Sequence, residues 1–243
     1  KNEGEDARLY EAVQACSEFA IDLGINIPTG KDSLSMKQKY PNDEVIAPGT
    51  VIISAAGNCS NITKVVEPVL QRNGGSIYYI NLSQDEFKLG GSSFAQTQNK
   101  IGAETPTIKD AAFFKKAFNA VQNLIKDRQI LAGHDIGSGG LITTLLEMCF
   151  ADNHLGAKID FSSLEENDLV KILFAENIGL VLQAKDDAVF EKALEGIEIF
   201  KIGEVSTTPS LEFGIWNLDI ASLRDIWFET SYLLDLKQSK NNT

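Results

Sequence analysis

Ile130-Leu131-Ala132-Gly133-His134-Asp135-Ile136-Gly137-Ser138-Gly139-Gly140-Leu141-Ile142-Thr143-Thr144-Leu145-Leu146-Glu147-Met148-Cys149-Phe150 is the stretch on which the fold turns. Ile130–Gly133 reads as a short strand. His134–Gly140 is a loop of small, flexible residues, and Leu141–Phe150 reads as a helix that starts directly from the glycines. Gly139 and Gly140 tolerate positive φ and let a ligand approach the backbone closely. The open N–H groups at the start of a helix attract phosphate. A carboxylate beside phosphate suits Mg²⁺, which prefers one or two carboxylates plus phosphate oxygens. Residue types alone leave two readings open: a phosphate cradle with Asp135 as cation ligand, or a tight strand-to-helix turn that Asp135 caps. His134 taken alone reads as a structural histidine.

Elements on both sides of this stretch also mix the two types. Residues 5–23 form an amphipathic helix pattern, with Leu9, Val13, Cys16, Ala20 and Leu23 on one face, and Gly24 ends it. Ile25–Pro28 reads as extended, because Pro28 biases Ile27 away from helix. Pro41–Gly49 carries turn signals, so a domain boundary is expected there. Thr50–Ala56, Ile77–Ile80, Ile159–Phe161, Gly179–Ala184 and Phe200–Val205 read as strands. Ile108–Arg128, Asp186–Leu194 and Ser222–Leu236 read as helices, and Lys237–Thr243 as a polar tail. The expected class is therefore α/β (α+β), a mixed sheet flanked by helices.

Composition narrows the function classes. The chain has 243 residues, 22 Lys and Arg against 34 Asp and Glu, and a net charge of −12. That balance disfavours a nucleic-acid groove, which shows as a basic patch. It leaves phosphate ligands open, since a helix N-terminus and a local lysine hold phosphate against the global field. A compact chain of this length buries roughly 70–75% of its unfolded surface and needs no disulfide or metal staple. Cys16, Cys59 and Cys149 are odd in number and widely spaced, so reduced thiols in a cytoplasmic compartment are the expectation. No apolar run approaches the roughly 18–20 residues of a membrane span, so no membrane partner is expected. The acidic start is not a signal peptide, and the missing initiator Met suggests a cut-out or processed chain.

Three further segments carry polar groups suited to chemistry. Thr29-Gly30-Lys31-Asp32-Ser33-Leu34-Ser35 has Gly, Lys and Ser without the spacing of a Walker loop. Lys31 would neutralise phosphate and Ser33 would donate a hydrogen bond; the alternative is a solvated loop. Lys88-Leu89-Gly90-Gly91-Ser92-Ser93 is either a phosphate cradle or a turn before a helix. Glu176, in Leu173-Phe174-Ala175-Glu176-Asn177-Ile178-Gly179, is a lone carboxylate before a buried strand and reads as a cap or ion-pair partner. Two histidines exclude a His-rich metal site, and no GxSxG elbow supports a Ser-His-Asp triad.

Taken in order, the segments are far more specific than each alone. Gly24-Ile25-Asn26-Ile27-Pro28-Thr29-Gly30-Lys31-Asp32-Ser33-Leu34-Ser35-Met36, Leu89-Gly90-Gly91-Ser92, His134-Asp135…Gly139-Gly140-Leu141, Leu173-Phe174…Glu176…Gly179 and Leu223-Arg224…Trp227…Glu229-Thr230-Ser231 follow one another. Over essentially its whole length the chain resembles the large, single-chain phosphoribosylformylglycinamidine synthases. These are ATP-dependent amidotransferases of purine biosynthesis within the aminoimidazole ribonucleotide synthetase superfamily. The resemblance implies two tandem two-domain units followed by a glutaminase. It makes this chain the end of the second unit's first domain (residues 1–44), all of its second domain (45–236) and a polar tail (237–243).

The implied cofactors are ATP and magnesium. The implied partners are ATP and formylglycinamide ribonucleotide in the full-length enzyme, together with the remaining synthetase and glutaminase domains. Asp135 matches the family's magnesium-binding aspartate. Gly139 and Gly140 match its glycines. Gly137 stands where the family has a serine that contacts ATP, and Ser138 where it has an acidic residue. Gly30 and Ser33 match positions used for nucleotide, metal and substrate. Lys31 replaces a metal-binding asparagine, which implies phosphate contact there. No catalytic residue is expected in this chain, so alone it should be inactive. The resemblance leaves open whether the site turns over or is an auxiliary structural one. Two alternatives stand beside it: a stand-alone nucleotide-binding module without catalysis, or another ATP-using enzyme of the same superfamily.

Overall fold

The computed structural model describes residues 3–31, 36–47, 49–152 and 154–240. The chain divides into two compact units, Lys1–Ser60 and Asn61–Thr243.

In the first unit, α1 spans Glu5–Leu23. It ends as its sequence predicts. Gly24 takes φ 73, and the Ile25 N–H reaches back to the Ala20 carbonyl at 2.8 Å, closing the last turn. Residues 25–31 carry no strand. A hairpin overlaps the segment 41–49. Strands β1 (Lys37–Tyr40) and β2 (Asp43–Ile46) pair antiparallel through the two-residue loop Pro41-Asn42. The turn chemistry was legible, since Pro pre-sets φ at the first central position. The strands were not, because Lys37-Gln38-Lys39-Tyr40 has no apolar alternation. The strand expected at Thr50–Ala56 does not form. Among the described residues of this unit only β1 and β2 pair, so the Val and Ile of that run have no ladder to join. No described residue of the unit is buried.

The second unit is built on a seven-stranded sheet. Its elements are β3 (Ile77–Asn81), α2 (Ser93–Thr97), α3 (Ala111–Lys126), β4 (Ile130–Asp135), α4 (Gly140–Phe150), β5 (Gly156–Ile159) and α5 (Leu169–Phe174). There follow β6 (Gly179–Ala184), α6 (Asp187–Ala193), β7 (Phe200–Ser206), β8 (Ser210–Phe213), β9 (Trp216–Asp219) and α7 (Ile220–Lys240). The strand order is β4-β6-β3-β7-β5-β8-β9. All neighbours are antiparallel except β5 with β8. The mixed sheet flanked by helices expected from the sequence is thus present.

Alternation along β3 sets the layers. Ile77 and Tyr79 join one core with Leu141, Leu145 and Met148 of α4 and Leu173 of α5. Tyr78 and Ile80 join the other with Val121 and Leu124 of α3 and Phe190 of α6. At the β5–β8 end only the α4 side is filled: Ala157, Ile159, Leu211 and Phe213 lie in that core, while Lys158 and Glu204 are exposed.

Two sequence expectations shift here. The strand placed at Ile159–Phe161 lies at Gly156–Ile159, because the Asp160 carboxylate accepts the Ser162 N–H at 2.9 Å and turns the chain. The β8–β9 hairpin was not anticipated. Its signal was present in Gly214-Ile215, since Gly214 takes φ 55 at the first central position of a two-residue loop.

Candidate functional site

Strand β4 lies at the sheet edge and ends at Asp135, and α4 begins five residues later and packs back across the core. Between them the Ile136 N–H bonds to the Gly179 carbonyl at 2.9 Å, so the chain stays pinned to β6 until the glycines begin. Gly139 (φ 91) and Gly140 (φ 74) occupy the left-handed region, where a side chain is costly. A Cβ on Gly140 would lie 2.7 Å from the Leu173 carbonyl oxygen, so α4 starts against the end of α5. Gly137 is different. It has no positive φ, and a Cβ there would meet nothing within 4 Å.

The N-terminus of α4 has no side-chain cap. Two loop N–H groups are nonetheless satisfied: Gly139 donates to Glu176 Oε1 at 2.8 Å, and Gly140 donates to the Gly137 carbonyl at 3.1 Å. Gly137 and Ser138 are the exposed members of the loop. The Asp135 side chain is 81% exposed. Its backbone carbonyl accepts from Thr144 Oγ1 at 3.2 Å, which ties the strand end to the second turn of α4.

Beside Asp135 a chain of contacts runs across three elements. His134 Nδ1 lies 2.7 Å from the Asp135 carbonyl oxygen, and His134 Nε2 lies 3.2 Å from Glu147 Oε2. Trp227 Nε1 donates to Glu147 Oε1 at 3.1 Å, which fastens α7 to α4. Sequence reasoning passed over Glu147. Its signal was being the only charged residue in the Leu141–Phe150 run.

Glu176 brings two expected segments together. The same Oε1 that accepts from Gly139 accepts the Ser93 N–H at 2.7 Å. Phe94 stacks on Phe174 with ring centroids 4.6 Å apart. The Leu89–Ser93 and Gly137–Gly140 segments therefore meet through the Leu173–Gly179 segment. Leu89, Gly90, Phe94, Lys100 and Glu104 line an open cleft of about 450 Å³ next to them.

A buried polar cluster supports the same corner. The Asp85 side chain, 3% exposed, accepts from Lys88 Nζ at 2.9 Å and from the Thr107 N–H at 3.0 Å. Burial alone would raise the Asp85 carboxyl, but these bonds, the Glu86 N–H and nearby Lys109 outweigh it and hold it below the ordinary value. The buried Asn177 amide donates to Ser83 Oγ and to the Asp85 and Glu86 carbonyls, which locks the loop after β3 to the start of β6.

Gly30 and Lys31 lie in the first unit, in the segment between α1 and β1. Ser33 lies outside the described residues. Burial pushes the Cys149 thiol up to about 12, so it stays protonated near neutral pH and offers no nucleophile. Among the described residues no group of three or more His, Cys, Asp or Glu gathers to hold a metal, and no helix is long and apolar enough to cross a membrane. A single exposed carboxylate next to an uncapped helix start fits Mg²⁺ in its usual mode, with few protein ligands and the rest from phosphate and water.

Comparison with known proteins gives two family matches. Residues 73–215 match the family described as AIR synthase related protein, C-terminal domain, and residues 1–58 match the FGAR-AT PurM_N-like domain. An Arabidopsis thaliana protein named as a probable chloroplastic/mitochondrial phosphoribosylformylglycinamidine synthase is 41% identical over 98% of the chain. The Homo sapiens phosphoribosylformylglycinamidine synthase is 34% identical over 98% of the chain. The chain spans only 18% and 19% of the length of these two relatives. Among solved structures, Thermotoga maritima PurL complexed with FGAR superposes with a TM-score of 0.51 at 18% identity, over 67% of this chain and 30% of that one. That likeness reports the fold.

Proposed function

Because the chain belongs to the AIR synthase related family, through the C-terminal domain of that family, we propose that it is part of a phosphoribosylformylglycinamidine synthase. Such an enzyme converts formylglycinamide ribonucleotide, glutamine and ATP to formylglycinamidine ribonucleotide in purine biosynthesis. The observation that carries the reading is the identity of 34–41% to enzymes of that name across 98% of the chain. In this reading residues 1–44 are the end of an N-terminal-type synthetase domain, 45–236 are the C-terminal-type domain, and 237–243 are a tail. The missing reactive groups come from the rest of the enzyme, so no residue here is assigned a catalytic role and the chain alone makes no product. The thiols of Cys16, Cys59 and Cys149 are free, which suits a cytoplasmic setting.

The chain's own contribution is a phosphate and cation site at the end of β4. Asp135 holds the cation, helped by its exposure and by the Thr144 bond that fixes the backbone beneath it. The uncapped start of α4 draws phosphate through its partial positive charge. Gly137 leaves room for a phosphate to approach, and Ser138 offers a hydroxyl from an exposed position. Gly139 and Gly140 give the loop its shape. In the first unit, taken by itself, Gly30, Lys31 and Ser33 are proposed as phosphate contacts, with Lys31 supplying charge. Bound Mg²⁺ would neutralise phosphate charge and so favour phosphoryl transfer.

Calorimetric titration of Mg-ADP into the intact protein tests the site. Asp135→Asn should weaken binding by roughly tenfold, the loss of one charge-assisted partner. Equal affinity in the two proteins would leave the loop a plain strand-to-helix turn in which Asp135 holds no cation.

A further inference from the structure

Glu176 reads from sequence as an ordinary cap, yet it accepts from two helix starts at once. One oxygen, Oε1, takes the Gly139 N–H at 2.8 Å and the Ser93 N–H at 2.7 Å. These residues stand 46 positions apart in the chain, and each opens a helix: Gly139 precedes α4 and Ser93 begins α2. Both N–H groups converge on one carboxylate oxygen. Charge-assisted bonds of this length are about twice as strong as neutral ones. The surroundings leave the carboxylate little freedom. Phe94 stacks on Phe174 on one side, and the backbone of Gly140 abuts that of Leu173–Ala175 on the other.

We infer that Glu176 is a positioning residue for the nucleotide site. It is an internal anion that clamps the Gly137–Gly140 loop to the Gly90–Ser93 segment and makes the two one site. The inference rests on the phosphate site proposed above and adds a residue and a second wall to it. By taking the Gly139 N–H, Glu176 turns the loop so that Gly137 and Ser138 face outward toward phosphate. By taking the Ser93 N–H, it anchors the segment that lines the cleft of about 450 Å³ beside the loop. Without the carboxylate, two N–H donors lose their acceptor and the two segments separate.

Hydrogen exchange of the intact protein, read by mass spectrometry, tests the clamp without nucleotide. Glu176→Ala should speed exchange in both the peptide covering 137–141 and the peptide covering 91–95. Glu176→Gln keeps an oxygen with two lone pairs and should protect both. Formate added to Glu176→Ala should restore slow exchange at both, because it refills the site with a carboxylate. Rescue of this kind separates an anion clamp from a general loss of packing. In parallel, Glu176→Ala should weaken Mg-ADP binding by roughly tenfold, with Glu176→Gln between it and wild type. Faster exchange in only one peptide, or in neither, would overturn the clamp. Unchanged affinity in Glu176→Ala, with wild type binding normally, would overturn its role in the site. Failure of wild type to bind Mg-ADP would overturn the nucleotide reading instead, and the exchange data would still decide the clamp.

Discussion

Gly137, Gly139 and Gly140 look alike as letters, and their backbones separate them. Gly140 combines φ 74 with a neighbouring carbonyl where its Cβ would go. Gly140→Ala should therefore cost roughly 2–4 kcal/mol of stability, read by urea unfolding, from left-handed strain and overpacking together. Gly137 has neither constraint. Gly137→Ser should leave stability within about 0.5 kcal/mol of wild type and nucleotide affinity equal or higher. A large loss in Gly137→Ser, or none in Gly140→Ala, would show that the loop is built differently. Much of this loop was legible in sequence, because a glycine pair before a helix points to special φ values. The bridge through Glu176 was not. It depends on residues 93, 139 and 176 meeting in space, and no local spacing encodes that.

At the scale of elements, periodicity found what periodicity controls. The strand at Gly179–Ala184 was read with its observed ends, and Phe200–Ser206 and Ile77–Asn81 to within one residue, because apolar or alternating runs between turns form strands. Thr50–Ala56 has the same letters and forms no strand, because a strand also needs an edge to pair with. The Asp85 cluster was missed, since its members are ordinary loop residues until burial brings them together. It gives a test with a defined sign. The Asp85 carboxyl is held below its unfolded value, so its contribution is complete above the unfolded pKa and is lost as pH falls through the folded one. Asp85→Asn should cost about 1–3 kcal/mol at neutral pH. The gap to wild type should shrink below about pH 4, where the unfolded carboxyl protonates. Unfolding curves at neutral pH and near pH 3 check this, and a gap that does not change with pH would count against the paired carboxylate.

The whole molecule divides its stability unevenly. The Asn61–Thr243 unit carries both apolar cores, while the Lys1–Ser60 unit has no buried residue among those described. The first unit is the part of the chain that matches the FGAR-AT PurM_N-like domain, over residues 1–58. The proposed function places these residues in a formylglycinamidine ribonucleotide synthase and not in a free-standing nucleotide module. The most direct test is to assay the product of the complete gene with ATP, glutamine and formylglycinamide ribonucleotide, beside the 243-residue chain alone. Formylglycinamidine ribonucleotide is expected from the complete protein and none from the chain. A complete protein that binds Mg-nucleotide yet forms no such product, or a chain that forms it unaided, would contradict it.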